Sequence, residues 1–133
     1  RVLSSFGIDT TKLLMVDGSG VSHYNLLTPE IYIQLLRGMY SRKDIFDLYY
    51  TSLPNAGVDG SLETRMRNSA AQNNLHAKTG TIGGVSTLSG FVRTADGEML
   101  VFSMMMQNYI GASDPYRRAQ DAIGILMANL KRK

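Results

Sequence analysis

Cysteine is absent from the 133 residues, and only two histidines, His23 and His76, are present. The first absence excludes a disulfide scaffold and any thiolate metal site. The second leaves too few imidazoles for a multi-histidine metal centre. No apolar run approaches the roughly 18–20 residues that a membrane-spanning helix needs. The net charge is only +3, and no basic stripe interleaved with aromatics is present, which argues against a nucleic-acid surface. The terminal Lys131-Arg132-Lys133 reads as the end of a helix, where cations complement the dipole. The chain opens on Arg1-Val2-Leu3 without an initiating Met. It is expected to be a piece of a longer protein, so a missing leader says nothing of localisation.

What is present is a soluble-domain composition, 44% hydrophobic and 19% charged, in a chain long enough for about one domain with a real core. Leu13-Leu14-Met15-Val16 predicts a short buried strand that stops at Asp17-Gly18-Ser19-Gly20. Thr28-Pro29-Glu30 opens a helix over 28–40: Thr caps, Pro suits the first turn, Glu complements the dipole. Ile31, Leu35 and Met39 share one face of it with Tyr32 and Leu36. A second short helix is expected over 44–50, followed by a loop over 52–60.

The second half changes character. Strands are expected over 75–81 and 85–94, with Asp96-Gly97 as a two-residue hairpin signal. Met99 to Met106 is almost unbroken apolar sequence, as in a central strand covered on both faces. Met104, Met105 and Met106 within it read as core filler. Asp114-Pro115 starts a last helix whose Ala119, Ala122, Ile123, Leu126, Met127 and Leu130 share a stripe expected to pack on the sheet. The order of elements predicts an α+β fold, an antiparallel sheet covered by a C-terminal helix.

The segment with chemical content is His76-Ala77-Lys78-Thr79-Gly80-Thr81. A strand edge binds an extended peptide through its main chain. Gly80 removes the side chain where a ligand backbone must approach. Thr79 and Thr81 share one face of the strand, so their hydroxyls can hold a carboxylate together. Lys78 falls on the opposite face by alternation; its ammonium would attract the same anion. A plain surface hairpin with a solvated Lys is the competing reading. Asp17 and Asp59 are read as turn residues rather than a carboxylate pair.

Lys-Thr-Gly is one of three motifs of the penicillin-binding and β-lactamase fold. Three blocks together carry a more specific resemblance: Asp17-Gly18-Ser19-Gly20-Val21-Ser22-His23-Tyr24-Asn25-Leu26, Leu53-Pro54-Asn55-Ala56-Gly57-Val58-Asp59-Gly60-Ser61-Leu62, and His76 through Phe91. In this order they resemble the D-alanyl-D-alanine carboxypeptidase/endopeptidase family, the class C low-molecular-mass penicillin-binding proteins. That family reads D-G-S-G-L-S-R-x-N, L-P-x-A-G-x-D-G-T-L and A-K-T-G-T-L-x-G-V-S-x-L-S-G. Val21 and His23 stand where it has Leu and Arg.

The resemblance implies a transpeptidase-like fold and a serine hydrolase of the cell envelope, periplasmic or extracellular, that cleaves D-Ala-D-Ala bonds of peptidoglycan stem peptides through an acyl-enzyme. β-Lactams would inhibit it, and no metal or organic cofactor is implied. Lys78 would be the electrostatic catalytic residue, with its ammonium reaching the cleft. Thr79 and Thr81 would hold the substrate carboxylate, Gly80 would give backbone access, and the Thr81 amide would supply half an oxyanion hole. Val21, Ser22 and His23 would line the cleft. A non-catalytic peptide- or partner-binding module of the same fold is the alternative.

The family's nucleophile lies in S-x-x-K and its second motif is S-x-N. No Ser here has Lys three residues on or Asn two residues on. Residues 1–133 are therefore expected to be the C-terminal part of the domain, inactive alone and associated with an N-terminal part that carries the nucleophile.

Overall fold

The computed structural model describes residues 2–132. Four helices, α1 (Val2–Ser5), α2 (Pro29–Ser41), α3 (Phe46–Ser52) and α4 (Asp114–Ala128), accompany three strands, β1 (His76–Ile82), β2 (Val85–Arg93) and β3 (Met99–Gln107). The strands form one antiparallel sheet in the order β1-β2-β3. Its register pairs Lys78 with Ser89, Gly80 with Thr87 and Phe91 with Val101. The expected α+β class holds.

Two apolar clusters lie on opposite faces of the sheet. Leu88 and Val92 of β2 point to the face where α4 and the loop over 56–75 pack, with Leu62, Leu75, Ala77 and Phe102. Leu62, Leu75 and Leu88 have 0% exposure, and burial of each stabilises the fold by about 1.5–3 kcal/mol. Phe91 points the other way, to Phe46 of α3 and Leu36 of α2. The Phe46 and Phe91 rings meet edge to face at 5.3 Å, a favoured aromatic geometry.

The helix over 28–40 forms as expected. Thr28 caps it, its hydroxyl accepting from Ile31 N at 3.4 Å, and Ile31 and Leu36 are buried. Other expectations are corrected. Residues 13–16 make no buried strand: Leu14 forms a single bridge with Leu26, and Leu14, Met15 and Val16 are exposed. Among the described residues β3 pairs with β2 alone, and most of it is half-buried rather than covered on both faces. Met104 packs against the core while Met105 and Met106 remain half-exposed. The β2–β3 turn is one residue longer than a two-residue hairpin. Thr94 N donates to Glu98 O and Gly97 N donates back to Thr94 O, so Ala95, Asp96 and Gly97 form the loop.

The C-terminal helix presents a different face from the one expected. Gln120, Gly124 and Ala128 are buried; of the expected stripe Met127 packs against the core, whereas Ile123, Leu126 and Leu130 are exposed. The cause is local. Arg65 is buried beneath α4 and bonds Asp121 (Nε–Oδ1, 2.8 Å), Gln120 Oε1 (3.1 Å) and the Arg117 carbonyl (3.2 Å). A buried guanidinium needs such partners, and they bring the polar stripe inward. Gly124 completes the fit, since a Cβ there would lie 2.9 Å from Leu75 Cδ1. α4 also ends before the basic tail. Arg132 instead ties to the hairpin, its backbone N donating to Asp96 Oδ2 at 2.9 Å and its guanidinium pairing with Glu98 at 3.2 Å. Arg1 and Lys133 lie outside the described residues.

Candidate active site

β1 is an edge strand with one neighbour, β2. The start of its outer edge is covered: Asn55 bridges to His76, and Ala77 N donates to Pro54 O at 3.0 Å. N–H groups two residues apart on a strand point the same way. The amides of Thr79 and Thr81 therefore face outward like that of Ala77, and beyond the Asn55 bridge no strand among the described residues pairs with them. Lys78 Nζ donates to the outward Thr79 carbonyl at 2.6 Å, which brings the ammonium round to the open edge despite strict alternation.

The faces sort as the spacing requires. Thr79 pairs across the sheet with Leu88 and Thr81 with Ser86, whereas Lys78 pairs with Ser89 and Gly80 with Thr87. The two threonine hydroxyls share the α4 side of the strand; Lys78 and Gly80 share the α3 side. Thr79 is half-buried, and Lys78 and Thr81 are exposed. The Thr79 hydroxyl donates to Ser61 Oγ at 2.8 Å.

Next to this edge, His76 stacks on Tyr50 with ring centroids 4.0 Å apart. Burial pushes its imidazole below the ordinary value, against the opposing pull of the Leu53 and Tyr50 carbonyls and the Asp59 charge. The neutral ring adds no positive charge beside Lys78 at neutral pH.

Asp17 organises a turn: its carboxylate accepts from Ser19 Oγ (2.9 Å), Gly20 N (2.7 Å) and Ser22 N (2.9 Å). These bonds, Ser19's first, hold the Asp17 carboxyl below the usual carboxylate value. Asp59 likewise accepts from Asn55 N at 2.8 Å. Both act in turns, and Ser19 is engaged there as a donor. Val21 and His23 are exposed and Ser22 half-buried. No hydrogen bond or ion pair among the described residues joins Val21, Ser22 or His23 to β1.

One concave surface among the described residues is lined by Arg65, Asp114, Arg117, Arg118 and Asp121, and another by Phe6, Gly7 and α2; neither includes a β1 residue. Among the described residues no cluster of His, Asp or Glu is arranged to hold a metal, and no helix is long and apolar enough to cross a membrane.

A three-stranded antiparallel sheet packed by a C-terminal helix, with Lys-Thr-Gly-Thr on its first strand, defines the class by fold: the α+β sheet layer of penicillin-binding proteins. Comparison with known proteins agrees. The sequence profile of the D-Ala-D-Ala carboxypeptidase 3 (S13) family matches residues 1–130, and the chain belongs to that family. It is similar to a D-alanyl-D-alanine carboxypeptidase of an Actinomadura species, at 40% identity over 133 residues, covering 96% of this chain and 24% of the relative. It is also similar to the D-alanyl-D-alanine carboxypeptidase DacB of Haemophilus influenzae, at 34% identity over 110 residues, covering 81% of this chain and 23% of the relative. The crystal structure of penicillin binding protein 4 (dacB) from Haemophilus influenzae superposes with a TM-score of 0.87 at 27% identity, covering 97% of this chain and 30% of that one. The chain thus spans about a quarter of the length of the curated relatives it matches. Its fold is part of the penicillin-binding fold.

Proposed function

We propose that the 133 residues form the C-terminal part of a transpeptidase-like domain in a serine-type D-Ala-D-Ala carboxypeptidase/endopeptidase. The substrates are peptidoglycan stem peptides, the enzyme acts in the periplasm or outside the cell, and β-lactams inhibit it. The observation that carries this reading is the open β1 edge. The Thr79 and Thr81 amides point outward there, the two hydroxyls lie on one face, and Lys78 folds round to the same edge.

Each group has one role. An extended peptide adds to the edge as a further strand. Thr79 and Thr81 donate their hydroxyl protons to its terminal carboxylate, which accepts only. Lys78 adds positive charge beside that anion and favours proton transfer from the nucleophile. The Thr81 amide aims at the oxyanion that forms when the scissile carbonyl is attacked. Gly80 keeps the strand free of a side chain at the approach. Val21, Ser22 and His23 line the more distant part of the cleft.

The nucleophilic Ser and its Lys come from an associated N-terminal part. Two features support that association. Ile123 and Leu126 of α4 and Leu130 just beyond it are exposed, and the outer edge of β3 has no strand beside it among the described residues.

The test is Lys78→Ala in the full gene product. Lys78 is exposed, so folding should be unchanged. Acylation by a penicillin and turnover of an acyl-D-Ala-D-Ala peptide should fall by roughly a hundredfold or more, as for loss of an aimed electrostatic group. Near-normal rates would remove Lys78 from the mechanism.

A further inference from the structure

The block Leu53-Pro54-Asn55-Ala56-Gly57-Val58-Asp59-Gly60-Ser61-Leu62 meets β1 near both of its ends, and Asn55 bridges to His76. Pro54 O takes the Ala77 amide at 3.0 Å, and Ser61 Oγ lies 2.8 Å from Thr79 Oγ1. The loop is held firmly. Asp59 accepts from Asn55 N, Gly57 N donates to Leu62 O and Ala56 N to Leu75 O, and Leu62 and Ala56 have 0% exposure. A Cβ on Gly60 would stand 3.2 Å from Pro54 Cβ. Ser61, itself exposed, is therefore presented to Thr79 by a rigid support.

A hydroxyl has one proton and two lone pairs, whereas a carboxylate only accepts. In the free chain the Thr79 proton goes to Ser61. When a carboxylate docks, the single Thr79 proton must turn to it. The Thr79 oxygen can then accept only from another donor, and Ser61 Oγ–H is the hydroxyl already within reach.

We propose that Ser61 is a positioning residue for carboxylate recognition. Its hydroxyl reverses from acceptor to donor on ligand binding, fixes the Thr79 rotamer and directs the Thr79 proton at the ligand's carboxylate. No bond is made or broken; two hydroxyl protons rotate. The proposal rests on the reading of Thr79 as a carboxylate ligand, and its test separates the two.

The probes are a penicillin and its methyl ester, which differ only in the carboxylate, with acylation rates measured on the full gene product. Ser61→Ala should slow acylation by the free acid roughly three- to tenfold, the worth of about one hydrogen bond, and leave the ester rate unchanged. Ser61→Thr, which keeps the hydroxyl, should restore the free-acid rate. Thr79→Val should slow the free acid more than the ester, and adding Ser61→Ala to it should cost nothing more. Independently, methyl couplings of Thr79 should report one χ1 rotamer in the parent and averaging in Ser61→Ala.

A selective Thr79→Val with an unselective or silent Ser61→Ala overturns the Ser61 assignment alone. Equal slowing of acid and ester by Ser61→Ala, or an unchanged Thr79 rotamer, does the same. An unselective Thr79→Val, or no acylation of the parent, overturns the underlying reading and the Ser61 role with it.

Discussion

A Cβ placed on Gly80 would stand 2.5 Å from the hydroxyl of Thr87, its cross-strand partner. Gly80 thus has a packing reason to lack a side chain besides any need for ligand access. The two reasons separate experimentally. Gly80→Ala should destabilise the chain by about 1 kcal/mol through overpacking, read as a shift in denaturant midpoint. Thr87→Ala in the same chain should recover most of that loss. In the full gene product the double variant should still acylate slowly if ligand backbone must approach position 80. Recovery of acylation together with stability would leave packing as the only role.

Arg65 offers a second test. Its side chain is 6% exposed and lies 2.7 Å from Asp121 Oδ1, with Gln120 passing the network on to Ser86 Oγ at 3.3 Å. Removing one partner of a buried pair leaves the other charge uncompensated, so Asp121→Ala should cost about 3 kcal/mol. Arg65→Met with Asp121→Leu should cost clearly less than Asp121→Ala alone. A single-variant cost under about 1 kcal/mol would place the pair among weak surface bridges.

The stacked His76 predicts a pH dependence. Burial holds its imidazole below the ordinary value of 6.5 in the folded chain. The unfolded chain therefore binds the proton first as pH falls, and stability falls with it. That contribution is fully present above about pH 6.5 and declines below it, toward the folded-state value. The lowered carboxyls of Asp17 and Asp96 act only lower, around and below 3.8. The denaturation midpoint should drop between about pH 7 and pH 5, and His76→Phe, which keeps the stack on Tyr50, should flatten that drop. An unchanged slope in His76→Phe would assign it elsewhere.

These residues also show what the sequence could and could not reveal. The strand bearing Lys78 to Thr81, the helix beginning at Pro29 and the helix beginning at Asp114 were legible, because caps, prolines and periodicity are local signals. Periodicity shows which residues share a stripe; it does not show which stripe faces inward. In α4 the buried Arg65 drew Gln120 and Asp121 toward the sheet and turned Leu126 outward. The apolar run of β3 predicts a strand covered on both faces, yet among the described residues most of it is only half-buried. An apolar sequence records a need for burial without naming the surface that covers it. Leu13 to Val16 misled in the same way: four apolar residues suffice for a strand pattern, but here only Leu14 finds a bridging partner. Ser61 escaped notice as a site residue because it meets Thr79 across 18 positions, a contact made by the fold of the intervening loop. Its only sequence signal was its place in the Leu53–Leu62 block.

The central claim is that Lys78 to Thr81 form one wall of a site whose nucleophile lies outside these 133 residues. Its most direct test is incubation with a fluorescent penicillin, followed by denaturing electrophoresis. A covalent label should form on the full gene product and none on the 133-residue chain. A stable label on the chain alone, or none on the gene product, would contradict that claim.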